Sequence, residues 1–326
     1  VTSVPEFEDL VTPPHEPSAA SPGRIWAALV VVYIVWGSTY LGIKLATESM
    51  PAQLALGSRF LVAASVLALV VRLRRGPGSL RVTRRELGGA ALVGVMLLGV
   101  GMSTVGLGQD YVPTGVAALL VAVTPVWIVL LRAGSGDRPR LVTWLGVGVG
   151  LVGVALLVLP GSDVAEVGDA TPQQRALWSL LIVLGSASWA TGSFLQQRIP
   201  TPKDALVMST YEMVAGGLAL IAVGTVRGES WADVLDATAV SWAGWLYLVV
   251  FGSLLAFSAF VWLIDHAPIS FVSTYAYVNP VVAVILGTLV LGEALTSGVV
   301  VGGLVIVAGV ALVVSGERLS RSRATT

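Results

Sequence analysis

Ser273-Thr274-Tyr275-Ala276-Tyr277-Val278-Asn279-Pro280-Val281-Val282-Ala283-Val284 continues to Glu293 within an apolar run of membrane-spanning length. It holds two tyrosines, a proline and the single asparagine of the chain. Proline leaves a backbone carbonyl without its helical donor, and lipid supplies no water in exchange, so the stretch predicts a broken helix facing protein or an aqueous cavity. The first half carries an echo. Thr124-Pro125-Val126 lies in a similar run, and Asp110-Tyr111-Val112-Pro113 precedes it much as Asp265-His266-Ala267-Pro268 precedes Asn279-Pro280.

Composition sets the class. Of 326 residues, 55% are hydrophobic and 12% charged, about half the roughly 25% charged fraction of soluble domains. Mean hydropathy is +0.86. An all-α integral membrane protein follows. The formal net charge of zero argues against nucleic acid as a partner,. No cysteine is present, and His15 and His266 cannot form a histidine cluster, so no cysteine-bound metal or disulfide is expected,.

A helix crosses the bilayer in about 20 residues. Ten runs qualify, near 25–44, 52–71, 87–108, 113–131, 141–159, 176–196, 204–226, 240–264, 268–291 and 297–315. Residues 1–24, rich in proline and acid, are expected as a disordered cytoplasmic tail,. With the N-terminus inside, all the lysines and arginines except Lys44, Arg59, Arg175 and Arg227 fall on the cytoplasmic side,. Both termini are therefore expected in the cytoplasm, with 160–175 as an external linker and 316–326 as a second cytoplasmic tail.

Trp36 aligns with Trp189, Pro125 with Pro280, and Gly153-Val154-Ala155 with Gly309-Val310-Ala311. Each half, 25–159 and 176–315, has five expected spans, so the second enters the membrane inverted. Inverted repeats point to a transporter with its substrate near the midplane. The motifs Tyr33-Ile34-Val35-Trp36-Gly37-Ser38-Thr39-Tyr40, Ser58-Arg59-Phe60, Gly185-Ser186-Ala187-Ser188-Trp189-Ala190-Thr191-Gly192-Ser193 and the opening stretch resemble the EamA family of the drug/metabolite transporter superfamily. The resemblance implies ten transmembrane helices as two inverted five-helix repeats, a plasma-membrane location, and efflux of small metabolites or drugs. It does not name a substrate. Leu291-Gly292-Glu293 has no counterpart in the first half, where Gly136-Asp137-Arg138-Pro139 stands.

Trp36, Ser38 and Tyr40 correspond in position to Trp189 and Ser193, and the two broken helices add Thr124, Pro125, Trp127, Tyr275, Tyr277, Asn279 and Pro280. Together they form the expected cavity, aromatic and mostly neutral, suited to an amphipathic or amino-acid-like solute. Any one hydroxyl could equally serve helix packing. Arg59 and Glu212 lie inside opposite spans, each costing about 2.5–3.5 kcal/mol at a helix centre. Three readings stay open: mutual neutralisation of a pair in contact, proton coupling through an unpaired Glu212 that faces the cavity, or solvation of both. Gly134-Ser135-Gly136-Asp137 matches an intramembrane aspartyl protease pattern, but arginines flank Asp137 and its second aspartate is missing. That enzyme and an uptake permease are the alternatives to export. Gly148-Val149-Gly150-Leu151-Val152-Gly153 has dinucleotide spacing but sits in a lipid-length helix without a preceding strand, so no cofactor is expected,. Gly146-x-x-x-Gly150 suits packing within the chain or a homodimer face. Expected partners are a small-molecule substrate and membrane lipids, with a coupling proton and a second copy left open.

Overall fold

A computed structural model describes residues 21–137, 139–159, 163–164 and 166–321, apart from the side chains of residues 270, 277 and 317–321. Every regular element among them is helical. In chain order the main helices are α1 (Pro22–Ala46), α2 (Ala52–Arg75), α3 (Arg84–Gly108), α4 (Thr114–Gly134) and α5 (Leu141–Val158). The second half contributes α6 (Pro172–Gln196), α7 (Ala205–Val226) and α8 (Ala239–His266), then α9 (Tyr275–Leu291) and α10 (Ser297–Arg321). Among the described residues nine helices are long and apolar enough to cross a membrane. The ninth expected span, 268–291, is divided: a single turn over Ile269–Val272 precedes α9, whose apolar part is Val278–Leu291. The expected tail over 1–24 falls largely outside the described residues, and α1 already begins at Pro22.

The helices pack through glycines. Helix α5 runs along α10, and α2 along α7, so each half contributes one member to both of these pairs. Gly57 on α2 faces the Gly217 carbonyl on α7, where a Cβ would come within 2.9 Å, and Gly217 faces Gly57 in return. On α5, a Cβ at Gly146 would lie 2.7 Å from the Gly309 carbonyl, and one at Gly153 would lie 2.7 Å from the Ile306 nitrogen. The small-residue face of α5 is therefore covered by α10 of the same chain, because only glycine lets two backbones approach this closely.

The breaks precede the prolines instead of falling on them, which corrects one expectation. In α4 the interruption falls at Ala122–Val123, and Pro125 lies in the first turn of the following segment, where a missing N–H is tolerated,. In the second half it falls at Ser273–Thr274, six residues before Pro280, which sits inside α9. At both breaks a threonine hydroxyl bonds a carbonyl of the preceding turn: Thr124 donates to Val121 O at 2.6 Å, and Thr274 to Phe271 O at 2.6 Å. Backbone groups at these breaks are thus partly satisfied by their own side chains and are less open to a solute than the prolines alone suggest.

The linker between the halves is anchored. Asp163 accepts from Ser297 Oγ at 2.6 Å and from the Gly298 N–H at 3.2 Å, capping α10,. Those two bonds hold its carboxyl below the usual range. Arg175 donates to Val164 O at 2.8 Å from the start of α6.

Candidate functional site

A cavity of about 50 Å³ lies between α1, α2, α3, α4, α6, α8 and α9. Five of the expected residues line it: Trp36, Tyr40, Trp189, Tyr275 and Asn279. The indoles of Trp36 and Trp189 meet edge to face at 5.4 Å, and Trp36 packs likewise on Tyr275 at 5.3 Å. Phe260 closes the cluster, with its ring 4.7 Å from Trp36 and 5.7 Å from Trp189. Offset and edge-on geometries of this kind make a rigid apolar wall that still presents ring edges and polar tips. The Tyr275 hydroxyl lies beside the Thr124 hydroxyl and the Trp189 indole. At about 50 Å³ the space suits a few waters, since each needs about 10–15 Å³ of such volume.

The other expected residues serve the frame. Ser38 bonds the Tyr247 hydroxyl on α8 at 2.6 Å. Ser193 donates to Trp189 O at 2.9 Å, within its own helix. Trp127 donates to Ser186 Oγ at 3.0 Å and borders a separate groove between α4 and α6. Pro125 and Pro280 are buried in the helix seams, and the side chain of Tyr277 lies outside the described residues. Asn279 has a double role. With its amide nitrogen turned toward the two acceptors, it donates to Tyr275 O at 3.2 Å and to Tyr33 O on α1 at 3.0 Å. The Tyr33 hydroxyl completes this α1–α9 seam through Thr274 Oγ1 at 2.5 Å.

Two lining features had little sequence signal. Helices α3 and α8 each widen into π-helical turns, over Val95–Met102 and Leu248–Phe257. Leu98 and Met102 from the first, and Gly252 and Phe257 from the second, face the cavity. A π segment shifts the i→i−4 ladder and frees carbonyls; the Gly252 carbonyl accepts from Trp36 Nε1 at 3.4 Å. Only the glycines Gly99, Gly101 and Gly252 hinted at these irregularities.

Arg59 and Glu212 do not pair. Among the described residues the ion pairs are Lys44–Asp110, Arg75–Asp204 and Arg132–Asp137. The direct-neutralisation reading is therefore not the arrangement here. Arg59 is 4% exposed and lines the cavity. Glu212 is wholly buried on α7 beside Gly94 of α3, and neither of its carboxylate oxygens has a hydrogen-bond partner. Asp265 on α8 is within electrostatic range of it. The protease-like Asp137 is held by Arg132 at the end of α4.

Two glutamates clasp the halves together at one end of the bundle. Helices α7 and α9 finish on left-handed glycines, Gly228 (φ +80°) and Gly292 (φ +68°), and each is followed by a glutamate. Glu229 accepts from the N–H groups of Gln53 (3.2 Å) and Leu54 (2.9 Å) at the start of α2. Glu293 accepts from those of Thr114 (2.7 Å) and Gly115 (3.1 Å) at the start of α4. Each carboxylate caps a helix N-terminus, where unsatisfied donors and the helix dipole favour negative charge. Each folds over a glycine: a Cβ on Gly224 would lie 2.8 Å from Glu229 Oε2, and one on Gly287 would lie 2.5 Å from Glu293 Oε2. The partner of Glu293 in this architecture is thus Glu229, not the Gly136-Asp137 turn.

A bundle of apolar, membrane-length helices with an aromatic cavity lined by both halves is the architecture of a polytopic membrane protein. The chain belongs to the EamA-like transporter family, whose model matches residues 22–159 and again 176–315. It is 36% identical to the uncharacterized inner membrane transporter YedA of Escherichia coli K12, across 87% of this chain and 90% of that protein. It is 28% identical to a probable terminal-alkyne amino-acid exporter of Streptantibioticus cattleyicolor, across 89% of this chain and 92% of the other. A solved structure described as a crystal structure of a protein matches the fold with a TM-score of 0.62 at 17% identity, covering 89% of this chain and 95% of its own.

Proposed function

We propose that this transporter exports a small organic solute from the cytoplasm by alternating access, using the aromatic cavity as its binding site. The observation that carries this reading is the cavity itself, built from both family-matched halves and bordered by a π segment from each. The halves are proposed as inverted repeats, supported by the crosswise packing of α2 on α7 and α5 on α10. The basic loops favour a plasma-membrane orientation with both termini in the cytoplasm. Similarity to a protein named as an amino-acid exporter supports the outward direction. A metabolite and drug panel, comparing efflux from cells with and without the protein, finds the solute; uptake into the expressing cells instead would reverse the direction.

Trp36→Ala and Tyr275→Phe are expected to weaken apparent solute affinity about two- to twelvefold, corresponding to about 0.5–1.5 kcal/mol for a ring contact or neutral hydrogen bond. Flux into reconstituted vesicles, normalised to inserted protein, is the measurement. Normal specific flux in both would move the site elsewhere.

Glu212 is the proposed site of a coupling proton. Its buried carboxyl has no cationic partner among the described residues, so a proton is the charge-balancing particle available to it,. In vesicles, a proton gradient directed against solute movement is expected to accelerate flux, and Glu212→Gln to abolish that acceleration while retaining downhill flux. An unaltered gradient response in Glu212→Gln excludes this role.

A further inference from the structure

We infer that Arg59 is the anion-binding residue of the cavity and that the solute is a monoanionic carboxylate carrying a flat apolar body. The inference rests on the cavity being the transport site and names the chemistry of its ligand. Arg59 is the one charged residue among those lining the cavity. Its Nε and Nη1 have no hydrogen-bond partner, and its Nη2 reaches only the Met102 sulfur at 3.6 Å. The guanidinium lies 4.4 Å from the ring centroid of its neighbour Phe60, a contact that tethers it without neutralising it,. Arginine stays charged in proteins and presents donors in a planar fork, so a buried guanidinium with free N–H groups is costly unless an acceptor arrives.

A carboxylate fits that fork with two parallel bonds. The charge balance limits the ligand to one negative charge: a phosphate ester or dicarboxylate would bring a second with no cation in the lining to meet it,. The rest of the ligand must suit what faces Arg59, namely the indoles of Trp36 and Trp189 and the rings of Phe257 and Tyr275. Flat aromatic or unsaturated bodies pack on such rings better than polyols, whose hydroxyls would lose their water.

The test uses the purified full chain with phenylacetate, its neutral amide phenylacetamide and the cation phenethylamine, reading the Tm shift at a series of concentrations. Phenylacetate is expected to stabilise the wild type with apparent affinity about tenfold or more above that of the amide, the range for a charged hydrogen bond. Arg59→Gln is expected to melt higher than wild type without ligand, since an unpaired buried charge is gone, and to lose the carboxylate preference. Arg59→Lys should keep part of that preference. A preference that survives in Arg59→Gln, or a lower unliganded Tm for that variant, overturns the assignment and makes Arg59 structural. Binding of amide and carboxylate alike removes the anion site but leaves the cavity standing. Failure of all three compounds to shift the wild type overturns this inference and the binding role of the cavity together.

Discussion

Glu293→Gln is expected to open the transporter at the clasped end. The carboxylate bonds two N–H groups at the start of α4 from the end of α9. Any rocking of one matched half against the other must break this contact and the matching one at Glu229,. Glutamine keeps one acceptor oxygen but loses the negative charge and the second acceptor, and it places an NH2 against backbone donors. Hydrogen bonds to a charged group are worth about 1.5–3 kcal/mol, so the balance between closed and open states should move by roughly 10- to 150-fold. The chain has no cysteine, so a single cysteine at the cavity-lining Thr39 or Ile43 can report access directly. An impermeant thiol reagent, applied from the side where α7 and α9 end, should modify it at least tenfold faster in Glu293→Gln than in the parent. The same substitution at Glu229 should act in the same direction, and the two together more strongly. Equal labelling rates in parent and variants would mean that the clasps cap helices without gating.

The second large effect concerns stability. A Cβ at Gly309 would lie 2.3 Å from the Gly150 nitrogen and 2.6 Å from its Cα. Those are backbone atoms in the middle of a helix, so no rotamer change relieves the clash, and α5 and α10 must separate along their length. Overpacking typically costs about 1–3 kcal/mol and more when backbone moves, and Gly309→Val should sit at or above the top of that range. Gly148→Ala is the control, since a Cβ there meets nothing within 4 Å. It should be neutral or slightly stabilising, because alanine favours a helix over glycine by about 0.8–1.0 kcal/mol. Comparing Tm and membrane abundance of the two variants checks the pair. Equal stability would show that the α5–α10 seam is loose enough to absorb an isopropyl group.

Apolar runs of fixed length, basic loops and paired motifs were enough to read a helical membrane protein of the EamA type, because lipid allows few ways to satisfy a backbone and so leaves a strong one-dimensional record. Trp36, Tyr40, Trp189, Tyr275 and Asn279 were legible as lining residues for a related reason: large aromatic and amide groups recur in the middle of spans where lipid would favour aliphatic ones. Other features depend on distances between spans, which hydropathy does not encode. Ser38, Trp127 and Ser193 share the composition of the lining residues, yet the Ser38 hydroxyl and the Trp127 indole are spent on neighbouring helices and the Ser193 hydroxyl on a carbonyl of its own helix. The break at Ser273–Thr274 carries no proline, and Glu229 looks like an ordinary loop acid until α2 is seen beginning beside it. Arg59 and Glu212 were visible to sequence as two opposite charges in the membrane. Only the packing of α2 against α3 and α7 decided that one faces the cavity while the other is enclosed beside Gly94, because pairing requires contact geometry that sign and depth alone do not fix,.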